Sequence, residues 1–376
     1  MSSNTALLVN IFFSLTIGFS IAYFSIPIII RIARVKKLFD VPNERSATKI
    51  VVPTLGGISI LIGFVISLLI ASGKVNIDCL KYLFAAIFVM FSVGLKDDLI
   101  GTSAVRKLLI ELAVAFGLVL LGNYRLTDLH GLFGIGQTGY IFGTILSVIA
   151  LVGIINAFNL IDGIDGLASG TGILVSLTYG VWFLNAGDPL YTIACFSLAG
   201  SLGAFFLFNV FGKTNKIFMG DTGSLILGTI LAVFTIHFNE FIPADSNVME
   251  GLPALSLAIM IVPVIDTLRV FAIRIYRRRS PFRADMNHIH HQLLRIGLSH
   301  LNSTLLIILI NGLIIILALS IINVLGNNFT FLMILGLGFF LGNLPFEIIK
   351  YREKRSATAG ESENSRDHLL PDEKLV

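Results

Sequence analysis

Charge is scarce in this sequence. Asp, Glu, Lys and Arg supply 13% of its 376 residues, where soluble domains average about 25%. That shortage argues against the soluble domains that the length alone would allow. Cysteine is scarcer still. Cys79 and Cys195 stand alone, far apart, within or beside apolar segments. Neither a disulfide framework nor a cysteine metal site is expected, and both read as buried packing residues. No Lys or Arg precedes Arg31. A cleavable signal needs a positive n-region and an apolar core of ~7–15 residues. The first apolar run, about 6–30, lacks the one and exceeds the other, so it reads as a spanning helix.

What is abundant is apolar: 55% of the residues are hydrophobic. A spanning helix needs ~20 mostly apolar residues. About eleven segments qualify: about 6–30, 54–72, 79–95, 106–122, 138–158, 167–185, 190–210, 222–238, 253–275, 303–324 and 329–348. The expected fold is all-α and polytopic, with residues 1–350 as one transmembrane catalytic domain. Residues 351–376 form a polar, charged tail, expected to be disordered and cytoplasmic. Every other connection falls on one face: 31–53, 96–107, 156–166, 211–221, 269–302 and the tail. Of the 27 Lys and Arg, only Lys74, Lys81 and Arg125 lie elsewhere. The positive-inside rule makes the rich face cytoplasmic, with the N-terminus outside and the C-terminus inside. That arrangement requires an odd number of spans, so eleven fits and ten does not. The polar clusters share that face, which suits an enzyme better than a conduit.

In NAFNLIDGIDGLASG (156–170), Asn156, Asn159, Asp162 and Asp165 recur at every third position. On an α-helix such neighbours are about 60° out of register and touch. In a 3₁₀ turn all four line up, and Gly163 and Gly166 make that distortion cheap. The cluster is expected to face one cavity. The alternative is capping of the helix at 167. In GLKDDLIGTSAVRKLL (94–109), Asp97 and Asp98 end the third span and Lys107 opens the fourth. Adjacent helical residues point about 100° apart, so the two carboxylates divide the labour, one near a metal and one as base or orienter. The alternative is a charged loop with Lys96 as partner. In NKIFMGDTGSLILG (215–228), Asp221 begins the eighth span, where it can cap the helix and also hold Mg²⁺ together with substrate phosphates. Thr222, Gly223 and Ser224 offer N–H groups and hydroxyls to an anion.

The largest polar loop, 263–297, holds Asp266, Arg269, Arg274, Arg277, Arg278, Arg279, Arg283, Asp285, His288, His290 and His291. Positive-inside topology explains much of the arginine run, and Asp266 and Arg269 can pair at i,i+3. Histidines beside arginines suit phosphate, as imidazolium and guanidinium both donate to anionic oxygens. Zinc is the alternative, although H-x-H-H lacks i,i+4 pairing. In the first loop, Asp40, Asn43, Arg45 and Lys49 precede a Pro53-Thr54 turn into the second span. Carboxylates with a basic loop imply Mg²⁺ bridging phosphates, and the membrane setting implies a lipid substrate. Phosphoryl transfer between a soluble nucleotide and a lipid phosphate satisfies both.

K-D-D at 96–98, N-x-x-N-x-x-D-G-x-D-G at 156–166, F-M-G-D-T-G-S at 218–224 and H-I-H-H at 288–291 occur in this order. Together they resemble the polyprenyl-phosphate N-acetylhexosamine-1-phosphate transferases, over about residues 35 to 300. The S-P-F-x-x-D-x-x-H-I-H-H form looks like the WecA/TagO branch of that MraY-like superfamily. Ile289 interrupts the three consecutive histidines typical of the MraY branch. One departure is Lys49, where many relatives carry His.

The resemblance implies that undecaprenyl phosphate attacks the β-phosphorus of UDP-N-acetylglucosamine and UMP leaves, at the cytoplasmic face of a bacterial inner membrane. It implies Mg²⁺, with Mn²⁺ as substitute, held by Asp221 and Asp97. Asp97, Asp98 and Asp162 would be catalytic. Asn156, Asn159, Asp165, Arg269, His288, His290 and His291 would bind the nucleotide-sugar, and Lys107, Arg45 and Lys49 the lipid phosphate. Expected partners are the UDP-sugar, undecaprenyl phosphate and membrane lipid, with a homodimer allowed and no nucleic acid. The alternatives are another UDP-sugar (UDP-GalNAc or UDP-MurNAc-pentapeptide) or, in a different class, a lipid-phosphate transporter, which should carry polar residues along its spans.

Overall fold

The computed structural model describes residues 3–36, 38, 52–73, 75–243, 251–278 and 286–367, with side chains of 3–6 and 356–367 set aside. Its helices are α1 (Ser3–Lys36), α2 (Gly56–Ser72), α3 (Lys81–Ile100), α4 (Ala104–Leu120), α5 (Tyr140–Ile161), α6 (Leu167–Ala186), α7 (Pro189–Phe211), α8 (Gly220–Glu240), α9 (Leu252–Ile259), α10 (Ile261–Tyr276), α11 (Ile289–Ile296) and α12 (His300–Asp367). Every segment expected to span is helical. By length and composition, seven helices among the described residues can cross a membrane, or eight if the bent pair α9–α10 is one span. The protein is an all-α, multi-pass membrane protein.

Apolar side chains cover these helices on several sides, so the innermost helix is the one that buries them all. That helix is α8, in which Thr222 through Ile236 are buried without interruption. Around it pack α2, α3, α5 and α6. Small residues let the backbones approach at its N-terminal end. A Cβ on Gly94 of α3 would lie 2.5 Å from the Cα of Thr222, so any larger residue there would push α3 off α8. That contact brings Asp97 and Asp98 alongside Asp221.

The segment expected as one span at 253–275 is broken instead. Its two helices meet at 78°. Pro263 explains the break: it has no N–H to give the carbonyl of Ile259 four residues back, and its ring crowds that carbonyl. Asn311 of α12 takes up the slack, its Nδ2 donating to the carbonyls of Ala258 at 3.2 Å and Ile259 at 3.3 Å. Helix α12 is interrupted at Gly326, where φ is 71°, and its two limbs match the expected spans 303–324 and 329–348. It runs on to Asp367, and the rest of the expected tail, 368–376, lies outside the described residues.

The 123–137 connection carries a hairpin, β1 (Asp128–Leu132) antiparallel to β2 (Ile135–Gln137). Phe133 and Gly134 both have positive φ, as a tight hairpin turn requires. Asn327, just past the α12 break, donates to the His130 carbonyl at 3.2 Å. Cys195 is buried as expected, but Cys79 is exposed, and both are free thiols.

Candidate active site

The ends of four helices meet at one end of the bundle. They are the last turn of α3, the first turn of α4, the last turn of α5 and the first turn of α8. Lys107 of α4 stands between carboxylates from the two helices on either side. Its Nζ lies 3.1 Å from Asp97 Oδ2 and 2.7 Å from Asp221 Oδ1. It also approaches Asn159 Oδ1 at 3.4 Å. Asn159 in turn donates Nδ2 to Asp221 Oδ1 and, at 2.9 Å, to Ser224 Oγ.

Asp98 turns the other way, as adjacent helical residues must. Its Oδ1 accepts from the backbone N–H of Asp221 at 2.8 Å, and its Oδ2 from the N–H of Thr222 at 2.9 Å and the Thr222 hydroxyl at 2.5 Å. The first N–H groups of a helix have no partner inside it. Here α3 satisfies them from outside, while Met219, at the N-cap position, makes no side-chain cap bond. The expectation that Asp221 caps its own helix is therefore corrected: the cap is Asp98, and Asp221 is left free for Lys107 and Asn159. The expected anion site on the N–H groups of Thr222 and its neighbours is corrected too, because the Asp98 carboxylate fills it.

The four polar residues at every third position do not converge on one cavity. Asn156 and Asn159 keep α-helical spacing, so each step turns the next side chain toward a different neighbour. Asn156 donates to Glu111 of α4 and Asn159 to Asp221. Asp162 ends α5 with φ −75° and ψ 47° and has no hydrogen-bond partner among the described residues. Burial pushes its carboxyl up to about 8, helped by the charges of Asp221, Asp98 and Asp165. Asp165 is tied down, 2.6 Å from Lys216 Nζ and 3.1 Å from His300 Nδ1. Burial works against its ionisation, but the bonds from His300 and Lys216 outweigh it and hold the carboxyl below its ordinary range. Asp165 thus fastens the loop to the α7–α8 connection and to α12 rather than lining an open pocket.

Beside this centre, α10 and α11 form a second group. Asp266 is 2% exposed. Its Oδ2 is 2.9 Å from His288 Nδ1, and its Oδ1 accepts from the Ile289 N–H at 2.9 Å and from Arg269 Nη2 at 3.1 Å. The i,i+3 pairing of Asp266 with Arg269 is present, and His288 joins it. Arg269 is buried, donates to the Asn287 carbonyl at 2.5 Å and lies over the Phe346 ring at 4.5 Å. It belongs to the wall behind the histidines, not to an exposed phosphate site.

His290 is buried too, and burial followed by the His291 charge pushes its imidazole down to about 3. It is neutral near neutral pH, so the expectation of an imidazolium on phosphate does not hold for this residue. Its ring packs on Gly163. A Cβ there would overlap Nε2 and come within 2.9 Å of Cε1, so the D-G-x-D-G loop and the H-x-H-H motif fit only because residue 163 has no side chain. His291 is half-buried, its ring centroid 4.3 Å from that of His290. Arg45, Lys49, Arg279, Arg283 and Asp285 lie outside the described residues.

Sequence reasoning missed Glu111. It is 1% exposed, one helical turn after Lys107 on α4. The available signal was a carboxylate at i+4 from a lysine in an otherwise apolar run. It adds a further carboxyl group beside Lys107 and Asp221. Among the described residues, no three His, Cys, Asp or Glu side chains are arranged to hold a metal. A hard divalent ion needs only one or two carboxylates when substrate phosphates supply the rest. Asp97 and Asp221, converging on one ammonium with Asn159 beside them, suit such an ion. A separate cavity of about 800 Å³ lies at the opposite ends of α6 and α8, lined by apolar residues such as Trp182, Phe238 and Leu255.

Residues 80–239 match the family described as glycosyl transferase family 4. The chain is 35% identical over 289 residues to a probable undecaprenyl-phosphate N-acetylglucosaminyl 1-phosphate transferase of Bacillus subtilis, covering 76% of this chain and 77% of that one. It is 32% identical to a decaprenyl-phosphate N-acetylglucosaminephosphotransferase of Mycolicibacterium smegmatis, over 73% and 72% of the two chains. It is 29% identical to an undecaprenyl-phosphate alpha-N-acetylglucosaminyl 1-phosphate transferase of Yersinia pestis, over 78% of each. Similarity of this extent, joined to the four motifs in order, makes the chain a member of the polyprenyl-phosphate N-acetylhexosamine-1-phosphate transferase family.

Proposed function

We propose that this protein transfers N-acetylglucosamine 1-phosphate from UDP-N-acetylglucosamine to undecaprenyl phosphate, releasing UMP, at the cytoplasmic face of a bacterial inner membrane. The observation that carries the reading is the meeting of Asp97 and Asp221 on Lys107, at the end of a membrane-spanning bundle. The names of the relatives support the substrates. Eleven spans with the N-terminus outside, as the loop charges suggest, would put this end of the bundle in the cytoplasm.

In the reaction, an oxygen of the lipid phosphate forms a bond to the sugar-bearing β-phosphorus, and the bond from that phosphorus to the UMP oxygen breaks. Asp97 and Asp221, with Asn159, would hold Mg²⁺. Bound there, it would neutralise charge on the diphosphate and the leaving group. Lys107 contributes a fixed positive charge where phosphates gather. Asp98 keeps Asp221 in place by capping α8. Asp266 orients His288, whose imidazole meets the diphosphate or sugar. Asp162, whose carboxyl burial pushes up to about 8, can give up a proton and regain it. A phosphate monoester has its second pKa near about 6, so the nucleophile is mostly dianionic without a strong base.

The test offers purified protein, undecaprenyl phosphate and Mg²⁺ a panel of UDP-GlcNAc, UDP-GalNAc and UDP-MurNAc-pentapeptide, and measures UMP and lipid product. UDP-GlcNAc is expected to give both. Turnover with a different sugar alone would move the protein to another branch, and no UMP from any would reject the reaction.

A further inference from the structure

Between α4 and α5 run two polar rungs one helical turn apart. The first, Lys107 to Asn159, belongs to the carboxylate centre. The second, Glu111 to Asn156, has no role in the mechanism above. Asn156 has two N–H hydrogens on Nδ2, and both are spoken for: one goes to Glu111 Oε2 and the other to the Val152 carbonyl at 2.9 Å. Both partners accept, and the Val152 carbonyl can do nothing else. Flipping the amide would set its Oδ1 against two oxygens, so the network fixes its orientation. No described residue bonds Asn156 Oδ1. Asn156 is only half-buried. Glu111 by contrast is 1% exposed, and its other oxygen, Oε1, is buried with no partner. An unpaired buried oxygen is costly, so it calls for an explanation.

We infer that Glu111 is a positioning residue that locks the Asn156 amide with Oδ1 toward the substrate, where it accepts a hydrogen bond from an N–H or O–H of the nucleotide-sugar. This rests on the reaction proposed above. The chemistry of the two substrates decides between them. An amide oxygen needs a donor. The phosphate of the lipid is mostly dianionic near neutrality and offers none, whereas a UDP-sugar carries hydroxyl and amide hydrogens. The lock therefore acts on the sugar nucleotide and not on the lipid.

The experiment measures kcat and both KM values in Mg²⁺ for wild type, Glu111→Gln, Glu111→Leu, Asn156→Asp and the double variant Glu111→Gln/Asn156→Asp. Gln still offers an acceptor to Asn156, while Leu frees the amide to turn. Glu111→Leu is expected to raise the KM for UDP-GlcNAc roughly tenfold or more, the loss from one substrate donor left without its acceptor, with kcat and the KM for undecaprenyl phosphate within about threefold. Glu111→Gln should keep all three within about threefold of wild type. Asn156→Asp sets two carboxylates together and should bind UDP-GlcNAc weakly. The double variant restores the donor-acceptor pair at residue 111 but leaves the Val152 carbonyl without its donor, so it should recover in part. The inference is overturned if Glu111→Leu leaves the KM for UDP-GlcNAc unchanged, if Glu111→Gln loses as much as Leu, if both KM values rise together, or if the double variant is no better than Asn156→Asp. Wild-type turnover in the same assay separates these outcomes from a failure of the proposed reaction, which would overturn both.

Discussion

His288 Nδ1 and Asp266 Oδ2 lie 2.9 Å apart in a wall that buries both residues almost completely. The carboxylate fixes which imidazole nitrogen carries the hydrogen facing α10, and so which nitrogen is presented elsewhere. Replacing Asp266 with Asn keeps the shape but offers the ring an N–H in place of one oxygen. We expect kcat/KM for UMP release to fall about 10–100-fold, the usual cost of disturbing the partner that orients a working histidine. On a His288→Asn background the same change should add little.

Asp98→Ala removes the cap that α3 gives to α8. Loss of a helix cap costs roughly 0.5–2 kcal/mol. The thermal midpoint of the detergent-solubilised protein should fall, and UMP release should fall further than stability alone requires, because Asp221 stands at the helix end that loosens. A midpoint equal to wild type would remove the cap from the explanation.

Asp221→Asn should reduce UMP release to background while the protein remains folded in the membrane. Chelation of divalent ions from wild type should do the same, with Mg²⁺ or Mn²⁺ restoring activity. Normal turnover by the variant, or full activity in chelator, would exclude the proposed role of this carboxylate.

Gly163→Ala places a methyl group in the space of the His290 ring. Overpacking of this kind typically costs 1–3 kcal/mol, which should appear as a lower thermal midpoint. Combining it with His290→Ala opens the space, so the double variant should be less destabilised than the sum of the two single changes.

Two groups, the half-buried Asp162 and the buried His290, give opposite pH dependences in the metal-free protein. Asp162 is raised to about 8, so the folded chain holds this proton more tightly than the unfolded one. Its contribution is full below the ordinary carboxyl pKa and is lost as pH rises toward 8. His290, lowered to about 3, contributes above the ordinary histidine pKa and loses that contribution as pH falls toward 3. The two oppose each other at acidic pH, and above about 6.5 only Asp162 still acts. In chelator, the thermal midpoint should decline between about 6.5 and 8, and Asp162→Asn should flatten the decline.

The helices and the acidic centre were legible because each rests on local patterns. Apolar runs marked the long helices, and Asp97, Lys107, Asn159 and Asp221 stood out as polar residues at the ends of apolar segments. What could not be read depends on contacts across the bundle. Asp221 looked like the cap of its own helix, and only the approach of α3 at Gly94 shows that Asp98 takes the place. The series from Asn156 to Asp165 suggested one cavity because the period alone does not say which neighbour each residue meets. Pro263 was visible in the sequence, but its consequence, a 78° turn, depends on Asn311 being present to receive the freed carbonyls. Glu111 was hidden by the apolar run that surrounds it.

The cap on α8 also bears on how the molecule comes into being. Asp98 leaves the ribosome 123 residues before its first backbone partner, Asp221. The N–H groups that open α8 gain this partner only when α3 lies against them. Capping the one helix and docking the other are therefore the same event, and the acidic centre is complete only with both in place.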